Sequence, residues 1–149
     1  MPTQQPPVVA PGAPDQLISV QLSQISHLLE RRLDRALMDH ALSLRRFVTL
    51  AVIARSPEVS RADLARVLKI SPQAVGAVVQ RLLAAGLIAR KASDPGLPLE
   101  LSVTSAGLDA LSMATPTVRA AEKLALDELP TEIRSALRTA LTDILDAGH

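Results

Sequence analysis

The stretch from Ser60 to Gly107 constrains the fold of this chain more than any other. It reads SRADLARVLKISPQAVGAVVQRLLAAGLIARK and, after Ala92, SDPGLPLELSVTSAG. Ser60 is a good N-cap, and Asp63 follows at the spacing of a capping box. Leu64, Ala65, Val67 and Leu68 give this first short helix a face to bury. Ser71 caps the next helix, and Pro72 falls in its first turn, where a missing N–H breaks no bond. Val75, Val78, Val79, Leu82 and Leu83 then recur at helical spacing on one side, and Gly86 ends the helix. Leu87 to Ala92 and Leu99 to Val103 read as strands around an Asp94-Pro95-Gly96 turn. Two short helices across a tight turn, followed by a hairpin, make a helix-turn-helix with a wing. That shape sets its second helix in a DNA groove.

With 149 residues, one domain is the default and a real core can be buried. Apolar residues make up 48% but aromatics only 1%. The core must therefore be packed from Leu, Val, Ile and Ala around the lone Phe47, which suits helices. Without cysteine there can be no disulfide framework, Cys-ligated zinc or thiol switch. The longest apolar run, Phe47 to Ala54, is too short to span a bilayer, and no secretory signal is visible. A soluble cytoplasmic protein is the expectation.

Outside the helix-turn-helix, residues 1–14 hold five prolines and read as a flexible arm. Residues 15–149 read as a single winged-helix domain. Asp15 is placed to cap a long helix through about His40, whose stripe of Ile18, Leu22, Ile25, Leu29 and Leu33 is widened by Leu17, Leu28 and Leu37. So broad a stripe asks for two partners, its own domain and something else. Ser43 starts a helix over Leu44 to Arg55 with an apolar middle that belongs at a core centre. Ser105 begins a long helix in which Pro116 should cause a kink or break, at about 3 kcal/mol if unrelieved. Pro130 opens a last helix with Ile133, Leu137, Leu141, Ile144 and Leu145 on one side.

Charge is divided along the chain. Residues 43–104 carry nine Lys and Arg against four Asp and Glu, whereas residues 105–149 carry four against seven. The positive charge thus sits where a polyanion would bind, although an excess this modest also arises by chance. The outer face of the Ser71–Ala85 helix offers Gln73, Ala74, Gly76, Ala77, Gln80 and Arg81. Gln can pair with an adenine edge through two hydrogen bonds, and an Ala methyl can meet a thymine methyl. A small, polar, solvated face is the competing explanation, and the flanking cap and wing favour DNA. Gly76 fits either close approach by a partner or packing against the preceding helix. Arg61, Arg66, Lys69, Arg90 and Lys91 are candidate phosphate contacts, each also explicable as a solvated surface charge. The three histidines, His27, His40 and His149, form no metal-spaced pair, and no phosphate loop or nucleophile elbow appears. No catalytic residue, metal or cofactor is expected, and neither is an enzymatic role.

These residues together resemble the MarR family of winged-helix transcription regulators. DLARVL, SPQAV, RLLAAGLIAR and DPGLPLELSVTSAG carry the resemblance, which extends from about Leu17 to Leu145. It implies a mainly α fold: a winged helix-turn-helix with a small β-hairpin wing and N- and C-terminal dimerisation helices. Residues 43–104 would form the DNA-binding core and wing, and residues 15–42 and 105–149 the dimerisation helices. It further implies a homodimer on a palindromic operator in double-stranded DNA, acting as a repressor and released by a small organic effector. His40, Arg45 and Arg46 are the candidate polar anchors for that ligand. The wing departs from the family pattern. Asp94 is present, but Gly96 stands where an Arg commonly reaches into the minor groove, and Leu97 follows. Two readings stay open: a DNA binder that relies on its recognition helix, or a weak DNA binder whose apolar wing meets a protein or ligand.

Overall fold

The computed structural model describes residues 17–56, 59–91 and 100–148. The Pro-rich arm, Asp15 and the wing-tip residues Asp94, Gly96 and Leu97 lie outside them. The described elements run α1 (Ile18–Leu37), a 3-10 turn (Met38–His40), α2 (Leu44–Arg55), β1 (Val59–Ser60), α3 (Arg61–Leu68), α4 (Pro72–Ala84), β2 (Ile88–Lys91), β3 (Glu100–Val103), α5 (Ser105–Leu126) and α6 (Thr131–Ala147).

The α1 helix spans its apolar stripe and ends at Leu37, short of the His40 expected from the sequence. Its N-cap is Leu17, with no side-chain cap. At its C-terminus the chain tightens into the 3-10 turn and closes on Ala41 at φ 53. The following helix is capped from two sides. Asp34 of α1 accepts the Leu44 amide at 2.6 Å, and Ser43 accepts the Arg46 amide at 3.2 Å. Two of the orphan donors of α2 are thereby satisfied. As expected, α2 lies deep in the fold, burying Thr49, Leu50, Val52 and Ile53. The Thr49 hydroxyl donates to the Arg45 carbonyl at 2.8 Å, so this buried polar group is paired.

The core of the helix-turn-helix is built from Leu50, Ile53, Leu64, Val75, Val79, Leu82, Ile88 and Leu101. Each fully buried Leu or Val in such a setting contributes about 1.5–3 kcal/mol. One expected core residue is misplaced: Val67 is exposed. A helix as short as α3 presents only a narrow face to its neighbours, and Leu64 fills it.

The short β1 strand was not apparent from the sequence. It pairs antiparallel with β3 through Val59↔Leu101 and Ser60↔Glu100, and β2 pairs on the other side through Ile88↔Val103 to Lys91↔Glu100. The sheet order is therefore β1-β3-β2. Two residues are too few to show an alternating pattern, so only pairing reveals this strand.

Pro116 does not break α5, which is helical from Ser105 to Leu126. Proline removes the bond that would reach the Ser112 carbonyl. Both Pro116 and Ser112 are exposed, so solvent can serve that carbonyl. A second, smaller core joins Leu37, Leu42 and Ala114, with Phe47 and Val118 packed against it. It fastens α5 to the end of α1. Beyond this contact Leu22, Leu29 and Leu33 are half-buried, but much of the apolar stripes stays uncovered. Ile18, Ile25, Leu124, Ile133, Ile144 and Leu145 are all at least half exposed, and α6 buries no residue.

Candidate DNA-binding interface

The interface begins with the two capped helices. At the start of α3 the Ser60 hydroxyl accepts the Asp63 amide at 3.1 Å. The Asp63 carboxylate accepts the Ser60 amide at 3.2 Å and its hydroxyl at 2.6 Å. The Ser60 hydroxyl and amide hold the Asp63 carboxyl below its ordinary value, and the Arg66 guanidinium adds to this. Arg66 is ion-paired with Asp63, which makes it less available to a phosphate than its exposure suggests.

The turn into α4 uses Lys69 in the left-handed region at φ 52. Ser71 then caps α4, accepting the Ala74 amide at 3.2 Å. Val75, Val78, Val79 and Leu82 are buried, so the opposite face must look outward. Gln73, Ala77, Gln80 and Arg81 are exposed there, and Ala74 is half-buried beside them. A Cβ added at Gly76 would meet nothing within 4 Å. Packing against α3 therefore does not explain this glycine, and α4 offers low relief to an outside partner.

The flanking cations are less uniform. Arg90 and Lys91 are exposed on β2. Arg61 is half-buried, and its Nε is buried without a hydrogen-bond partner. The Lys69 ammonium donates to the Leu145 carbonyl at 3.2 Å, where the end of α6 leaves carbonyls unpaired. Sequence gave no sign of this contact across 76 residues.

The candidate effector anchors each have surroundings of their own. His40 Nε2 lies 2.9 Å from the Thr117 hydroxyl of α5. Arg45 is 3.9 Å from the Glu30 carboxylate, an exposed pair worth little. Arg46 has its Nε buried and unpartnered. None of the three lines the cleft of about 690 Å³ between α5 and α6. That cleft mixes Arg119, Lys123, Arg134 and Arg138 with Leu126, Leu137 and Leu141. Among the described residues, no three metal-ligating side chains are grouped, and no helix is long and apolar enough to cross a membrane.

Comparison with known proteins places this geometry. A family model described as MarR family matches residues 42–96. The HTH-type transcriptional repressor Rv2887 of Mycobacterium tuberculosis is 34% identical over 118 residues, covering 78% of this chain and 85% of that protein. A MarR family transcriptional regulator from Rhodococcus sp. RHA1 shares the fold with a TM-score of 0.82 at 22% identity, over 89% of this chain and 96% of that one. Rv2887 in complex with DNA gives a TM-score of 0.71 at 28% identity, over 87% and 98% of the two chains. Its complex with salicylic acid gives 0.73 at 31% identity, over 91% and 99%.

Proposed function

Because the chain belongs to the MarR family, we propose that it is a repressor of transcription that binds a palindromic operator as a homodimer and responds to a small organic effector. The observation that carries this reading is α4. One face is buried under Val75, Val79 and Leu82, and the other exposes Gln73, Ala77, Gln80 and Arg81. Support comes from the relative named as a repressor, whose structures include DNA and salicylic acid.

In this reading Gln73 and Gln80 meet base edges, while Ala74 and Ala77 lie against thymine methyls. Ser71, Arg61, Arg81, Arg90 and Lys91 fix register on the phosphates. Lys69 joins them by exchanging the Leu145 carbonyl for a phosphate oxygen. Residues 43–104 form the DNA-binding core and wing. Residues 15–42 and 105–149 pair the subunits through the uncovered stripes of α1 and α6 and the cleft beside α5. The effector engages His40, Arg45 or Arg46, and the buried, unpartnered Arg46 Nε is the donor most in need of an acceptor. The protein is non-enzymatic and acts in the cytoplasm, where its operator is.

The test is binding to duplex DNA taken from upstream of its own gene, titrated with salt. The expected result is a specific complex whose affinity falls linearly on a log–log plot, by about 0.9 per phosphate neutralised. No binding to any duplex at low salt would sink the repressor reading. It would favour a winged-helix module whose apolar wing, with Gly96 and Leu97, meets a protein or ligand instead.

A further inference from the structure

Leu87 packs against both cores, the one inside the helix-turn-helix and the one between α1 and α5. Around it the exit of α4 and the entry of α5 are bound together. Gly86 turns the chain out of α4 at φ +70, and its carbonyl accepts the Thr104 hydroxyl at 2.7 Å. The Leu87 carbonyl accepts the Thr104 amide at 3.1 Å. The same Thr104 oxygen caps α5 by accepting the Gly107 amide at 3.1 Å. A hydroxyl can donate once and still accept, so one side chain serves both helices. Gly107 is buried, and a Cβ there would stand 2.1 Å from the Leu87 oxygen and 2.7 Å from Val103 Cγ2. The backbones approach too closely for any side chain.

We propose that this junction of Gly86, Leu87, Thr104 and Gly107 is the positioning element that fixes α4 against α5, and so sets the spacing of DNA half-sites that the dimer accepts. It rests on the reading of α4 as the DNA-reading helix. Thr104 and Gly107 are positioning residues that act through α4. The junction is the direct tie between the two helices, beside the shared packing of both on α2 and of Ala110 and Leu111 on the core that α4 buries. The tolerance is small. An α-helix of 22 residues, the length of α5, is roughly 33 Å long. A rotation of about 6° at one end of such a lever moves the other by about 3.4 Å, one base-pair step.

The experiment uses the full chain, which has no cysteine. Gln80→Cys and Ala120→Cys are spin-labelled, and labelled chain is diluted with unlabelled chain so that only the distance within one protomer is read. The expected result is one narrow distance in the parent and in Thr104→Ser, which keeps the hydroxyl. In Thr104→Val the narrow peak is lost. An equally narrow peak in Thr104→Val overturns the proposal, whatever the protein does with DNA. If Thr104→Val does not fold, amide exchange in the parent decides. Thr104 and Gly107 amides protected as strongly as Leu82 support the junction, and fast exchange of Thr104 overturns it.

A second arm uses unlabelled protein and duplexes selected from a random pool, with the spacer between half-sites lengthened by one base pair. The parent is expected to lose about tenfold or more in affinity, and Thr104→Val less than about threefold relative to its own best spacing. Equal spacing penalties in both proteins would overturn the role in half-site selection. If no duplex is recovered while the distances behave as expected, the repressor reading fails, and with it the link to spacing, but the rigid junction stands.

Discussion

Gln73 and Gln80 are exposed on the outer face of α4, and each has an amide able to pair with an adenine edge. Changing either to Ala is expected to cost about 1–3 kcal/mol on a selected duplex and little on random DNA. Competition titrations with the two duplexes read the difference, and equal losses would remove these residues from base recognition. The wing supplies a second test at this scale. Residues 92–99, expected from the sequence to hold its turn, contain no Lys or Arg. Leu97→Arg is expected to tighten DNA binding and to steepen the log–log salt slope by about 0.9. The substitution is made beside the turn glycine so that a positive φ at Gly96, if the turn needs one, is left undisturbed. An unchanged slope would place the tip away from the phosphates.

Helix ends and one interior proline decide how firmly the elements hold. Ser60→Ala removes the cap of α3 and is expected to lower stability by about 1 kcal/mol in urea unfolding. Its partner Asp63 adds a pH dependence. A carboxyl held below its ordinary value, near 3.8, stabilises the fold above that pH. The contribution fades as pH falls through the lower folded value. Asp63→Asn should therefore flatten the acid limb of the stability curve below about pH 4. A limb of unchanged steepness would show that other carboxylates set it. In α5, Pro116 sits in an unbroken helix with its ring exposed. Pro116→Ala restores an amide to the Ser112 carbonyl and is expected to stabilise the protein by roughly 1–3 kcal/mol. A loss of stability would mean that the proline sets a bend that the surrounding packing requires.

Across the whole molecule, the described chain leaves more apolar surface uncovered than a lone subunit should. Leu137 and Leu141 line the α5–α6 cleft while remaining more than one-third exposed. A second copy covering this seam, as proposed above, would account for the exposure. Leu141→Asp would place a charge within the seam and is expected to turn a dimer into monomer, or to unfold a chain that needs its partner. Light scattering at micromolar concentration separates these outcomes. A parent protein that is already a stable monomer would overturn dimerisation.

The sequence by itself determined the helix-turn-helix, because its signals are local. A capping box at Ser60 and Asp63, a capped helix with Pro72 in its first turn and a buried stripe from Val75 to Leu83 each lie within a few residues of one another. It also marked the outward face of α4, since helical spacing that buries Val75 and Val79 must expose Gln73 and Gln80. What only tertiary structure decided involves residues far apart in the chain. The pairing of β1 with β3, the Lys69 contact with the end of α6, the His40 contact with Thr117 and the closure of Thr104 on Gly86 have no local periodicity to announce them. Val67 failed as a core residue for the same reason, because spacing defines a helix face but neighbouring elements decide how much of it is covered. Thr104 and Gly107 were visible only within the DPGLPLELSVTSAG stretch that carries the family resemblance. Their purpose became legible only when folding brought the Leu87 carbonyl to within 2.1 Å of where a Cβ on Gly107 would stand.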